Sequence, residues 1–148
     1  MIGPITRIIN AAGLALVRAY EGLRLEAYQD SGGVWTIGYG HTHGVKPGDA
    51  VSAERAEHML EADLMTTEAV VSRLVKVPLT DNQFSSLVSF AFNVGEAQLA
   101  KSTLLRKLNE GGHRLVPACL KSWIFDNGRV QPGLVKRRAA EAALWSMT

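Results

Sequence analysis

Between residues 24 and 50 the chain loses the three-and-four spacing of apolar residues that governs most of its length, and this break restricts the fold more than any other feature. Tyr28, Val34, Trp35, Thr36, Ile37 and Tyr39 favour extended backbone, interrupted by Ser31-Gly32-Gly33 and by Gly38. Aromatic and β-branched residues suit a pleated surface and glycine supplies the turns, so the stretch predicts short strands in a hairpin.

On either side the periodicity is helical. A first helix is expected at about 6–23. Ser52 is placed to cap a long helix, with Glu54 and Glu57 in its first turns, Ala56, Leu60, Leu64, Val71 and Leu74 along one face, and Pro78 just beyond its end. Thr80 and Gln83 form a capping box ahead of an apolar stripe, Phe84, Leu87, Val88 and Ala91, that Gly95 stops. Further helices are expected at about 102–109, 113–124 and 133–146, separated by Gly111, Asn127-Gly128 and Pro132-Gly133. The expected class is α+β: one domain over 1–148, with a small β-lobe at about 24–50 and a helical lobe at about 51–148.

The bulk properties agree with a packed fold. A chain of 148 residues with 47% apolar and 20% charged residues buries enough surface to fold without staples. The single Cys119 has no internal partner and reads as a small core residue. The apolar stretch Ala11 to Val17 is too short to span a bilayer, which takes about 20 apolar residues. With no small-residue cleavage site behind it, the expectation is no signal peptide, no anchor and no stable membrane insertion. Charge is uneven: residues 101–148 carry nine Lys and Arg against three acids, whereas residues 1–100 carry seven against eleven. A basic C-terminal part suits an anionic polymer or surface without choosing which one.

Hydrolysis of a glycosidic bond usually needs two carboxyl groups, one protonated for the leaving oxygen and one ionised to act on water or sugar. Glu21 falls near the end of an apolar helix, surroundings that favour a protonated carboxyl, and Asp30 lies nine residues on at a water-accessible turn. Thr36, on the following strand, offers a hydroxyl to orient a water beside Asp30. Taken singly, these are also an ordinary surface charge, a turn former and a strand residue, and Glu26 and Asp49 compete on composition alone.

The residues around them are more specific. Glu21-Gly22-Leu23-Arg24-Leu25-Glu26-Ala27-Tyr28-Gln29-Asp30, followed by Trp35-Thr36-Ile37-Gly38-Tyr39-Gly40-His41-Thr42, resembles the signature of the phage-type lysozymes, the muramidase endolysins of glycoside hydrolase family 24. The likeness continues through Val77-Pro78-Leu79, Gln83, Phe92-Asn93-Val94-Gly95, Ser102 to Asn109, Trp123, and Gly133 to Arg138 with Glu141. It covers nearly the whole chain after about the first ten residues.

That resemblance implies a lysozyme-like fold and an endolysin that hydrolyses the β-1,4 bond between N-acetylmuramic acid and N-acetylglucosamine. Glu21 would be the general acid, and Asp30 and Thr36 would hold the attacking water. It also implies inversion at the anomeric carbon, which needs carboxyl groups about 6.5 to 9.5 Å apart. Phe92 and Asn93 match groove-lining positions that contact substrate. His41 matches a structural histidine paired with a buried acid; with His43 it gives a weak metal pattern, and neither a metal nor a cofactor is expected.

Arg137 and Arg138 would either touch acidic substrate groups or pair with Glu141, four and three residues away. The implied partner is bacterial peptidoglycan, reached by a monomer made in the host cytoplasm once a holin or similar protein permeabilises the membrane; no nucleic acid is involved. Asp30 and Thr36 argue against a lytic transglycosylase, which works with a single Glu. A non-catalytic wall-binding module would not need all three at this spacing, and direct membrane disruption by the basic last helix would act without hydrolysis.

Overall fold

The computed structural model describes residues 7–147. Its contacts divide the described residues into two compact units, 18–66 and 7–17 with 67–147, and the divisions fall inside the first two helices.

The smaller unit contains the end of α1 (Ala11–Glu21), the strands β1 (Arg24–Gln29) and β2 (Trp35–Gly38), and the first half of α2 (Ala53–Leu74). Helix α1 is shorter than the expected 6–23. It begins where the Asn10 side-chain oxygen accepts a hydrogen bond from the Gly13 amide at 2.9 Å, and it stops at Gly22, whose φ of 72° an L-side chain rarely adopts. The part of that expected helix before residue 7 lies outside the described residues.

The hairpin pairs Arg24 with Gly38, Tyr28 with Thr36 and Gln29 with Trp35, the register slipping through a bulge between Arg24 and Tyr28. Beyond it, the Ala27 amide donates to the Asp49 carbonyl and the Val51 amide to the Leu25 carbonyl, tying the outgoing loop back onto β1. Ile37, Ala56, Leu60 and Leu64 are buried, which gives this unit its own small core. The Ser52 hydroxyl accepts from the Arg55 amide at 3.0 Å, the cap expected for α2.

The larger unit is built on α3 (Asp81–Val94), in which every residue from Phe84 to Ala91 is buried. Thr80 and Gln83 make the reciprocal capping box, and Gly95 ends the helix with its amide on the Ala91 carbonyl. Around it run α4 (Glu96–Ala100), α5 (Thr103–Asn109), a 3₁₀ turn at His113–Leu115, α6 (Val116–Lys121), the strands β3 (Phe125–Asp126) and β4 (Arg129–Val130), and α7 (Pro132–Trp145).

Three further features depart from expectation. The helix expected at 113–124 splits into the 3₁₀ turn and α6, and its last residues give way to a second hairpin. That hairpin turns on Asn127 and Gly128, both at positive φ, a pair that suits a two-residue hairpin turn. Helix α4 is a short helix directly after the Gly95 stop, too brief to show a period in the sequence. Cys119 is half-buried on α6, not in the core.

Candidate active site

The three chemical candidates all belong to the smaller unit: Glu21 at the last position of α1, Asp30 just past β1, and Thr36 within β2. In the turn of the hairpin Asp30 and Thr36 are each tied to Val34. Its carbonyl accepts from the Asp30 amide and from the Thr36 hydroxyl, each at 2.9 Å, and its amide donates to Asp30 Oδ1 at 2.8 Å. Gly32 adds a second amide to the same Oδ1 at 2.9 Å. Asp30 is therefore both a turn former and a fixed carboxylate: two backbone donors hold Oδ1, while Oδ2 has no hydrogen bond to the described residues.

Thr36 is 4% exposed, and its hydroxyl proton is committed to Val34, so what it can offer an incoming group is an acceptor lone pair. Its Cα partner across the hairpin is Tyr28, which places the two side chains on one face.

Glu21 is half-buried and lies against the loop Gly38-Tyr39-Gly40-His41. Gly40 has a φ of 80°, and a Cβ built there would stand 2.9 Å from Glu21 Oε2. His41 anchors this loop. Its backbone exchanges two 2.9 Å hydrogen bonds with Ile37, its Nδ1 meets Asp63 Oδ2 on α2 at 2.7 Å, and its Nε2 meets the His43 carbonyl at 2.9 Å. The acid paired with His41 is partly exposed, not buried as the resemblance implied. Among the described residues no group of three or more His, Cys, Asp or Glu side chains is placed to hold a metal ion.

Arg18, one turn before Glu21, forms a two-pronged pair with Glu57 on α2. That hydrogen bond holds the Glu57 carboxyl below the usual glutamate range and raises Arg18. It clamps the end of α1 to α2 within this unit, steadying the helix that carries Glu21.

Phe92 and Asn93 lie in the larger unit, near the end of α3. Phe92 is half-buried and Asn93 exposed, but the Asn93 side-chain oxygen already accepts from Arg138. Arg137 and Arg138 are 3% and 1% exposed and flank a fully buried Glu141. Glu141 also accepts from the Ser89 hydroxyl at 2.6 Å, while Arg138 donates to the Trp123 carbonyl and sits over the Phe90 ring. Of the two roles open to these arginines in the sequence, the pairing with Glu141 is the one observed. Burial lowers the Arg138 pKa and the neighbouring Glu141 opposes that shift. Two of the nine C-terminal cations are thus internal, and the exposed charge is smaller than the sequence suggests.

Comparison with known proteins adds an independent line. Residues 18–141 match the family described as phage lysozyme. An endolysin of Acyrthosiphon pisum secondary endosymbiont phage 1 is 45% identical over 141 residues, covering 93% of this chain and 97% of that protein. The endolysin of Bacillus phage PZA is 43% identical over 141 residues, covering 93% of this chain and only 55% of that protein. Among solved structures, the muramidase domain of SpmX from Asticcacaulis excentricus superposes with a TM-score of 0.90 at 40% identity, covering 96% of this chain and 100% of that one.

Proposed function

This chain belongs to the phage lysozyme family, and we propose that, as a lysozyme-type glycoside hydrolase of peptidoglycan, it cleaves the β-1,4 bond between N-acetylmuramic acid and N-acetylglucosamine. The 148 residues act as one catalytic domain in this reading, with Glu21 as general acid and with Asp30 and Thr36 positioning the water. Glu21 delivers its proton to the glycosidic oxygen as the bond to the anomeric carbon breaks. One water hydrogen points to Asp30 Oδ2 and the other to the Thr36 oxygen, so a water lone pair faces the anomeric carbon from the opposite side and the configuration inverts. Asp30 takes the proton the water loses, and exchange with solvent restores both carboxyl groups.

The observation that carries this reading is the division of labour on Asp30: Oδ1 is held by Gly32 and Val34 while Oδ2 is left for a ligand. Phe92 and Asn93 serve as substrate contacts, and the enzyme works as a monomer. It is made in the host cytoplasm and reaches the wall after a holin or comparable protein permeabilises the membrane; no helix among the described residues is long and apolar enough to cross one.

The decisive experiment is Glu21→Gln. The variant should release no muropeptides from purified peptidoglycan while remaining folded. Undiminished clearing by that variant would overturn the reading. Mass spectrometry of the wild-type products should give a reducing muramic acid end, and an anhydro end would reassign the enzyme as a transglycosylase.

A further inference from the structure

Arg24 stands at the start of β1, four residues before Tyr28, and its guanidinium carbon lies 4.1 Å from the centroid of the Tyr28 ring. Stacking of this kind fixes a cation that would otherwise sweep through solvent, and it leaves the guanidinium N–H groups available to an acceptor. The platform has a defined orientation. Tyr28 opposes Thr36 across the hairpin, so their side chains share a face, and Asp30 follows just past the end of the same strand.

Several arginines of this chain have an acid partner. Arg7 pairs with Asp81, Arg18 with Glu57, Arg73 with Glu96 and Arg106 with Glu110. Arg24 is exposed and, among the described residues, has no carboxylate against it. An oriented, exposed cation with no described carboxylate against it is thus stacked on the residue that opposes Thr36, in the strand that leads to Asp30.

Resting on the proposed hydrolysis of peptidoglycan, we propose that Arg24, held by Tyr28, is a specificity residue that recognises a carboxylate on the substituent of the muramyl sugar. The chemistry selects that group. Of the two alternating sugars only the muramyl residue carries an acid: the carboxylates of the attached peptide, or the lactyl carboxylate where no peptide is attached. A guanidinium fork binds either through paired N–H groups. Reading this substituent would fix which of the two sugars sits beside the cut.

The test compares Arg24→Gln with Arg55→Gln, which removes the same charge from an exposed position on α2. On intact peptidoglycan, Arg24→Gln should raise KM about tenfold with kcat kept, as expected for loss of one charge-assisted contact at an exposed site. Arg55→Gln should match the wild type, and thermal midpoints should stay unchanged. The penalty should vanish on peptidoglycan whose carboxylates have been esterified. Strands stripped of peptide by an amidase, which uncovers the lactyl carboxylate, separate the sources: a lost penalty assigns the peptide carboxylates alone, and a persisting one shows that the uncovered lactyl carboxylate is bound as well.

Equal KM changes in the two variants, or a penalty that survives esterification, would refute the proposal. Pelleting with intact sacculi in a Glu21→Gln background measures affinity without turnover. A protein that binds through Arg24 but whose wild type releases nothing would sink the hydrolase reading alone.

Discussion

The Glu21 carboxylate is seated against Gly40, so closely that a Cβ at residue 40 would lie 2.9 Å from Oε2. A turn of chain that His41 pins to Ile37 and Asp63 thus forms the wall beside the candidate acid.

Gly40→Ala tests that wall. The new methyl must displace the carboxylate, and the positive φ adds strain of about 1 to 2 kcal/mol. Misplacing a reacting group by about 1 Å can cost about a hundredfold in rate. A fall in kcat of at least about tenfold is expected, with a stability loss too small to unfold the protein. Clearing assays and urea denaturation on the same preparation measure the two effects. Wild-type turnover would show that the position of Glu21 does not depend on residue 40.

Asp30→Asn and Asp30→Ala are expected to differ. The amide side chain keeps an oxygen for the Gly32 and Val34 amides but loses the carboxylate, so activity should drop by several orders of magnitude with the thermal midpoint nearly unchanged. Alanine removes the turn contacts as well, and a further stability loss of about 1 kcal/mol should appear. Retention of most activity by either variant would reduce Asp30 to a turn residue.

Glu141→Ala takes from Arg138, 1% exposed, the carboxylate it pairs with. Removing one member of a buried ion pair costs about 3 to 5 kcal/mol, because the partner's charge stays buried. Chemical denaturation should show a lower midpoint, and a change below about 1 kcal/mol would mean that water replaces Glu141 at little cost.

Two glutamates should bend the stability curve in opposite directions. Burial raises the pKa of Glu68, whose carboxylate accepts from the Ile9 amide at 2.7 Å. From the ordinary glutamate range up to that raised value, the folded protein holds a proton the unfolded chain has released, so stability falls as pH rises. Glu57 is lowered by Arg18, so its contribution is present above the ordinary range and is lost as pH falls through its depressed value. The Arg18–Glu57 pair is partly exposed and should contribute under about 1 kcal/mol. Thermal midpoints of Glu68→Gln and wild type from about pH 4 to about pH 8 should diverge in favour of the variant as pH rises. Parallel curves would contradict the Glu68 assignment.

Much of the fold is legible in the sequence because the relevant signals are local. Ser52, the Thr80 and Gln83 box, and Gly95 act within a few residues of where they stand, and each does in the structure what its spacing implies. The second hairpin is legible only as a turn: Asn127-Gly128 marks the reversal, but strands of two residues carry no periodicity. The shorter α1 and the divided 113–124 segment show how weakly an apolar pattern fixes its own ends.

Residue type and spacing suffice for the α+β class, the family resemblance, and the choice of Glu21, Asp30 and Thr36 as candidates, since each of these is a property of the chain read in order. Only the folded arrangement shows that Arg137 and Arg138 pair with Glu141, that the Thr36 proton goes to Val34, and that Arg24 stands over Tyr28 with no acid against it among the described residues. Spacing along a chain states which groups can meet, but which charge is buried, paired or left exposed depends on contacts between segments far apart in sequence.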